Sequence, residues 1–262
     1  STKVLYNDAD AVESLFRGDP GGFAALILEP AAVEEPAPGY LAALREITER
    51  YGVILIFDEV VTGFHIDMGG AQRLYGVTPD LAAFGKGMGN GMPISAVVGS
   101  ANIMRGMEEI FFSGTFGGET LSLAAAIATV DKLERTDAIG RMRSVAARLV
   151  EGVRSRLAAR GLDRRFKVDG TDWWPRVSLL DPAPASADVA TSLLRQELTA
   201  AGLLMGAAFN LCLAHDDDAV IDETLAAWDR ALEAVAAAFN DPDPARHLRG
   251  KPIKPVFKVR DG

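Results

Sequence analysis

The apolar residues of this chain first collect in short blocks. Residues 24–28 (AALIL) run into Glu29-Pro30, and residues 53–57 (VILIF) run into Asp58-Glu59. Blocks this short and this apolar predict strands buried in a sheet. Between them Leu41, Leu44, Ile47 and Tyr51 recur at helical spacing, and Gly52 closes the stretch. Residues 40–51 therefore predict an amphipathic helix. Strand, helix and strand in this order make a βαβ unit with parallel strands and a right-handed crossover. Residues 80–84 (DLAAF), closed by Gly85-Lys86-Gly87, predict a third strand. Residues 94–99 (ISAVVG) predict a fourth, returning as a hairpin from a glycine-rich turn.

The second half has a different texture. Residues 119–133 read as a helix rich in small residues. Residues 138–160 read as a longer one, with Met142, Val145, Leu149, Val153 and Leu157 on one face and Gly161 as its stop. Residues 166–170 and 176–180 predict strands of a separate sheet. A helix over 187–201 stopped by Gly202, an extended piece over 203–213, and a helix over 217–239 follow. Acidic residues open the last helix, as its dipole favours. The expected organisation is an α/β domain over residues 1–150, a smaller α+β domain over 151–240, and a tail over 241–262. The tail, rich in Pro, Lys and Arg, reads as a loop or an arm on another subunit.

Composition narrows the function classes. Hydrophobic residues are 48% of the 262 and charged residues 24%, enough for a real core. The formal net charge of -9 argues against a nucleic-acid-binding surface, which needs a basic patch. With one cysteine, Cys212, no intramolecular disulfide is possible, and a reducing, cytoplasmic home is expected. Cys212 itself, between Leu211 and Leu213, reads as a small buried hydrophobe. The first residues lack the apolar core of a signal peptide, and no stretch approaches the ~20 apolar residues of a membrane span. No histidines or carboxylates are spaced as metal ligands, so no metal is expected.

Three residues with chemistry are expected at the ends of consecutive strands, the edge where open parallel sheets bind ligands. They are Asp58, Lys86, and Thr115 in residues 111–118 (FFSGTFGG). A lysine among glycines suggests a phosphate loop, but glycine follows Lys86 where that motif needs Ser or Thr. It also suggests amine catalysis, in which a lysine forms an imine with a carbonyl. An exposed lysine in a flexible loop is the plain alternative. Asp58 weighs against that alternative. A carboxylate held at the dry end of an apolar strand needs a partner, and a pyridinium N–H suits it.

These residues carry a resemblance. Residues 56–64 (IFDEVVTGF), 79–81 (PDL) and 85–94 (GKGMGNGMPI) resemble the core of the class III pyridoxal-phosphate aminotransferases. The step of 28 positions from Asp58 to Lys86 is similar to that family's spacing. Residues 27–30 (ILEP), 38–40 (PGY), 113–118 (SGTFGG) and 209–215 are similar too, most of all to the glutamate-1-semialdehyde aminomutase branch. The resemblance implies fold type I: a three-layer α/β/α large domain, partial in this chain, plus a smaller α+β C-terminal domain.

It also implies roles. The cofactor is pyridoxal 5'-phosphate. Lys86 is its Schiff-base lysine and proton shuttle, and Asp58 pairs with the pyridine nitrogen. Val60 packs on one ring face. Thr115 donates to the cofactor phosphate of the neighbouring subunit, which implies a dimer. Val61 stands where many relatives carry Gln, so no hydrogen bond to O3′ forms there; the aminomutase-like branch often has an apolar residue at this position. Glu29 lies near the active site or serves only as a structural residue at a strand end.

The implied reaction moves an amino group between an amine or amino acid and a keto or aldehyde acceptor, or within one substrate as an aminomutase. A non-catalytic subunit that completes a partner is the rival, and the joint retention of Lys86 and Asp58 argues against it. The family's phosphate-binding turn and stacking aromatic have no counterpart upstream of Asp58. This chain is therefore expected to build part of the site, with a complementary N-terminal chain or segment building the rest. An apolar face is expected to lie open where that part packs. Arg176, beside Trp173-Trp174, is a candidate for a substrate carboxylate. His65 reads as a loop histidine or a substrate contact.

Overall fold

The structure is a computed structural model that describes residues 1–32 and 34–254. The chain forms two compact units, Ser1–Gly140 and Arg141–Gly262.

The first unit is built on a four-stranded sheet of β1 (Ala25–Leu28), β2 (Ile54–Asp58), β3 (Leu81–Phe84) and β4 (Ala96–Gly99), adjacent in that order. β1, β2 and β3 are parallel, with Leu28 opposite Phe57 and Asp58 opposite Ala83. β4 returns antiparallel, pairing Phe84 with Ala96 and Leu81 with Gly99. The βαβ unit and the hairpin return expected from the apolar blocks are both present.

Helices α1 (Ala9–Gly18) and α2 (Tyr40–Tyr51) pack on one face of this sheet. Val12 and Phe16 of α1 join Leu44 and Ile47 of α2 over Leu55, Phe57 and Ala82. Asp8 caps α1, its carboxylate accepting from the Ala11 N–H at 2.9 Å. The α1 helix was not expected from the sequence pattern. Gly52, in a left-handed conformation, ends α2 as expected.

Side chains alternate across the sheet, so Ile27 and Val97 point to the opposite face. There Ile27 is 63% exposed and Val97 49%. This corrects the reading of residues 24–28 as a fully buried strand: β1 is covered on one face and open on the other. Further along lie a short helix, α3 (Gly70–Leu74), another, α4 (Ala101–Met104), and α5 (Thr120–Arg135). Glu119 caps α5 by accepting from the Leu121 and Ser122 N–H groups at 2.8 and 2.7 Å. The segment leading into α5 presents Phe111, Phe112 and Phe116 to solvent, Phe111 at 96%.

The second unit joins α6 (Ala138–Ala159), the antiparallel pair β5 (Phe166–Gly170) and β6 (Pro175–Leu179), α7 (Ala187–Ala200) and α8 (Asp218–Phe239). Val145, Leu149, Val153 and Leu157 share a core with Phe166, Val168, Trp228, Leu232 and Val235. That face is why the chain divides at Gly140, earlier than the expected residue 150: nearly all of α6 packs with the second unit. Residues 203–213 form no named strand. Ala208 makes a single bridge to Arg176, and a 3-10 turn, Leu213–His215, follows.

The tail up to residue 254 lies on α7 of its own unit. Arg249 N–H donates to Gln196 at 2.7 Å, Gln196 donates to the His247 carbonyl at 2.9 Å, and Ile253 N–H donates to Ser192 at 2.7 Å. The rest of the tail read as an arm, residues 255–262, lies outside the described residues. Cys212 is exposed rather than buried, with its thiol 3.3 Å from His215 Nδ1. It starts a 3-10 turn, and its flanking leucines do not carry it inward. Among the described residues no helix is long and apolar enough to cross a membrane, and no His, Cys, Asp or Glu cluster could hold a metal ion.

Candidate active site

Parallel strands end on the same side of the sheet, so consecutive strand ends gather residues that are far apart in sequence. Asp58 closes β2, and its register partner Ala83 stands three residues before Lys86. Strand spacing plus three extended residues bounds the Asp58–Lys86 α-carbon separation at roughly 16 Å. Glu29 follows Leu28, the partner of Phe57, and so stands at the same edge. Acid, acid and amine thus line the ends of three neighbouring strands.

Each has a polar atom to spare. Asp58 Oδ1 accepts from the Val60 N–H at 3.1 Å, and no hydrogen bond is recorded at Oδ2 among the described residues. Lys86 is exposed and has no ion pair among the described residues. Its φ of 37° is left-handed, a conformation a side-chain-bearing residue holds at a cost of about 1–3 kcal/mol. Glu29 is likewise exposed.

The turn after β2 is held by a residue that sequence reasoning passed over. Glu59 is fully buried. Its carboxylate accepts from the Thr62 hydroxyl, from the Ala71 N–H at 2.8 Å and from the Gln72 N–H at 2.9 Å. A buried carboxylate is tolerable only with such partners. The opening of α3 thereby supplies the partners, and Gly70, with φ of 71°, leaves room for the carboxylate: a Cβ there would stand 2.5 Å from Oε2. The one local sign was Thr62, three residues after Glu59. The two amide donors lie 12 and 13 residues away and carry no side-chain signature.

The same turn packs on the strand that delivers Lys86. Gly63 N–H donates to the Glu59 carbonyl at 2.8 Å. A Cβ on Gly63 would stand 2.3 Å from the Phe84 ring, so only glycine lets the turn lie this close. Phe64 and Phe84 rings are 5.8 Å apart. Val60 Cγ1 lies 3.6 Å from where a Cβ on Gly85 would be. Val60 therefore sits against the residue before Lys86, half-buried at the same edge.

Of the glycines around Lys86, Gly89 is required by the chain's own packing, since a Cβ there would stand 2.5 Å from Ile94 Cγ2, whereas Gly85 and Gly87 are not. A Cβ at Gly85 or Gly87 would meet neighbours no closer than 3.6 and 4.0 Å, ordinary contact. Lys86 and Gly87 are exposed, while Gly85 and Met88 on either side of them are buried. A flat ring carrying a carbonyl and a protonated nitrogen fits this donor set: a spare amine, a spare carboxylate oxygen and an apolar Val60.

The remaining candidates are placed differently. Thr115 does not follow a strand directly, because β4 runs antiparallel and ends at Gly99. It is exposed in the loop before α5, and α5 packs against the Lys86–Met88 turn. His65 is half-buried, with its N–H on the Thr62 carbonyl at 3.1 Å. Arg176 lies in the second unit on β6, where its Nε donates to Asp169 Oδ1 at 3.1 Å. Trp173 is buried and stacks at 6.0 Å on Trp174, whose indole N–H donates to Asn210 at 3.3 Å. Burial alone would raise the Asp169 carboxyl, but hydrogen bonds from Lys167, Ser178 and Arg176, together with the Arg176 charge, hold it below the ordinary value.

Known proteins place this arrangement in a group. Residues 5–164 match the family model described as aminotransferase class-III. The chain is 34% identical over 250 residues to the glutamate-1-semialdehyde 2,1-aminomutase of Roseiflexus castenholzii, covering 89% of this chain and 57% of that protein. It is 43% identical over 157 residues to glutamate-1-semialdehyde 2,1-aminomutase 2 of Brevibacillus brevis, covering 57% of this chain and 37% of that one. Among solved structures it superposes on the FumI protein of Sphingopyxis sp. MTA144 in its PLP internal aldimine form. The TM-score is 0.84 at 26% identity, over 94% of this chain and 60% of that chain. An omega-transaminase from Sphaerobacter thermophilus gives a TM-score of 0.72 at 28% identity, over 87% of this chain and 57% of that one. The chain spans 37% to 60% of the length of these four proteins.

Proposed function

Because the chain belongs to the class III aminotransferase family, we propose that the protein carrying it uses pyridoxal 5'-phosphate to move an amino group between an amine or amino acid and a keto or aldehyde acceptor. The observation that carries this reading is the pairing of strand ends. Asp58 and Lys86 stand at the ends of two neighbouring parallel strands, each with a spare polar atom. When bound, the cofactor supplies an electron sink that makes the substrate's α-proton removable.

The chain's own residues supply the rest. Lys86 presents its Nζ amine in an exposed turn, where it would hold the cofactor through its carbonyl carbon and, once the substrate's own amine has displaced it there, would be free to take and return the proton. Asp58 would accept the ring nitrogen's N–H through its spare oxygen and so favour the protonated ring. Val60 offers an apolar side that keeps water off the ring. Thr115, exposed ahead of α5, donates its hydroxyl to a phosphate, that of the neighbouring subunit in a dimer. Glu29 borders the same edge. Arg176 keeps its two terminal nitrogens for a substrate carboxylate while Asp169 holds its Nε. The phosphate cup and ring-stacking aromatic come from a complementary N-terminal chain or segment, in a cytoplasmic setting.

Two features favour a second reading, an aminomutase that returns the amino group to the same carbon skeleton. One is the apolar Val61. The other is the name of the relatives that cover most of this chain. Reaction with a single amine separates the readings: an aminotransferase releases a carbonyl product and stops, whereas a mutase converts substrate to isomer without an acceptor.

Replacing Lys86 with Ala in the full protein that carries this chain tests the main reading. Loss of a positioned acid–base group costs about 10²–10⁴-fold in turnover. The visible absorbance that pyridoxal phosphate gains on the parent should vanish as well. Unchanged turnover in Lys86→Ala would assign the chain a structural role instead.

A further inference from the structure

The mechanism above leaves one buried charged group unused. Glu59 is fully buried and adjoins Asp58, yet its side chain turns away from the sheet edge. It fastens two segments of the chain. Through Thr62 it closes the turn that follows β2, and through the Ala71 and Gln72 N–H groups it ties that turn to the opening of α3.

The turn so fastened touches both members of the candidate pair. On one side the Val60 N–H holds Asp58 Oδ1. On the other, Gly63 lies on Phe84, and Val60 lies beside Gly85, directly ahead of Lys86. A shift of the 59–63 turn would move the Asp58 carboxylate and the Lys86 backbone together.

We propose that Glu59 is a positioning residue, whose charged clamp on Thr62, Ala71 and Gln72 sets the Asp58 carboxylate and the Lys86 turn in register for the cofactor. The clamp needs the carboxylate form. Three donors converge on two oxygens, and an amide would turn an NH₂ toward at least one of them. Its effect on the reaction is indirect, because Glu59 is sealed from the edge. It acts as a support for groups that must be placed to within a fraction of an ångström.

The proposal rests on the reading of Asp58 and Lys86 as the cofactor pair, so the experiment separates the two. In the full protein without cofactor, amide hydrogen exchange is measured for the parent, Glu59→Gln, Thr62→Ser and Thr62→Val. Glu59→Gln should speed exchange at Ala71 and Gln72, and also at Val60, whose N–H is on the far side of the turn. A merely local structural role would leave Val60 unchanged. Pyridoxal phosphate is then titrated into the same proteins and followed by visible absorbance.

Glu59→Gln should weaken binding about 10–100-fold, the range seen when a supporting residue is removed, and shift the pH profile of the band. Thr62→Ser, which keeps the hydroxyl, should bind like the parent, and Thr62→Val should fall between. Unchanged Val60 exchange together with unchanged cofactor affinity in Glu59→Gln overturns the positioning role while leaving the Lys86 assignment intact. A parent that gains no Lys86-dependent band overturns both.

Discussion

Asp80 and Leu55 hold each other reciprocally: the Asp80 carboxylate accepts from the Leu55 N–H at 2.8 Å, and the Asp80 N–H donates to the Leu55 carbonyl at 2.9 Å. This closed pair fastens the entry of β3 to the start of β2. A parallel ladder has no turn to set its register, so such a pin decides which residues come level at the far end. Here it brings Asp58 level with Ala83. Arg45 of α2 adds an ion pair to the same carboxylate at 3.0 Å.

Asp80→Ala should therefore cost about 1–3 kcal/mol of stability, because the Leu55 N–H loses its partner in a partly buried place. Asp80→Asn, which keeps an acceptor, should cost less. Urea unfolding of the two variants checks the order. Equal midpoints for Asp80→Ala and the parent would remove the pin from the account.

Gly63→Ala introduces a methyl group where the Phe84 ring and the Glu59 carbonyl already stand at 2.3 and 2.9 Å. Overfilling of this kind costs about 1–3 kcal/mol. Combining it with Phe84→Leu should recover part of the loss, since the ring is the closer obstacle. A thermal melt of the single and double variants reads the effect. No recovery in the double variant would place the strain at the Glu59 carbonyl instead.

The second unit carries its own acid sensitivity. Burial alone would raise the Asp229 carboxyl, but hydrogen bonds and charge from Arg156 and Arg160 outweigh it and hold the group below its ordinary value. A carboxyl lowered on folding adds stability above its unfolded pKa, about 3.9, and that stability is lost as pH falls through the folded value. Stability measured from pH 6 downward should therefore decline below about pH 4, and Asp229→Asn should flatten that decline. A variant with the parent's full acid dependence would move the sensitivity to another carboxylate.

The exposed Phe111, Phe112 and Phe116, with Ile27 and Ile127, make the surface adhesive. The chain purified by itself should bind a hydrophobic dye and self-associate. Phe111→Ser with Phe112→Ser should lower both without changing far-UV circular dichroism. Dye binding that is absent in the parent chain would contradict the exposure described above.

What the sequence discloses here follows the range of its interactions. The apolar blocks that became β1 to β4 and the periodic face of α2 were legible because burial leaves a pattern in neighbouring residues. The Asp58–Lys86 relation was legible because each residue closes such a block. The α1 helix was passed over although Val12, Leu15 and Phe16 stand at helical spacing, because the stripe spans only ten residues and lies ahead of the first apolar block. The boundary at Gly140 was hidden by the unbroken helical period of α6, which runs across it. Glu59 was illegible for a different reason: two of its partners are backbone amides, and these exist as donors only once α3 has formed.

The antiparallel turn-back of β4 divides the edge into two kinds of inheritance. Asp58 and Lys86 owe their places to a hydrogen-bonded ladder, where one inserted residue would throw every neighbour onto the wrong face. Residues 100–118 begin at the opposite rim and reach Thr115 through α4, a 3-10 turn over Arg105–Glu108 and a loop, outside any ladder. An insertion in that stretch would leave the register that brings Asp58 level with Ala83 unchanged. The places of Asp58 and Lys86 are thus set by strand pairing, and that of Thr115 by the chain that leads into α5.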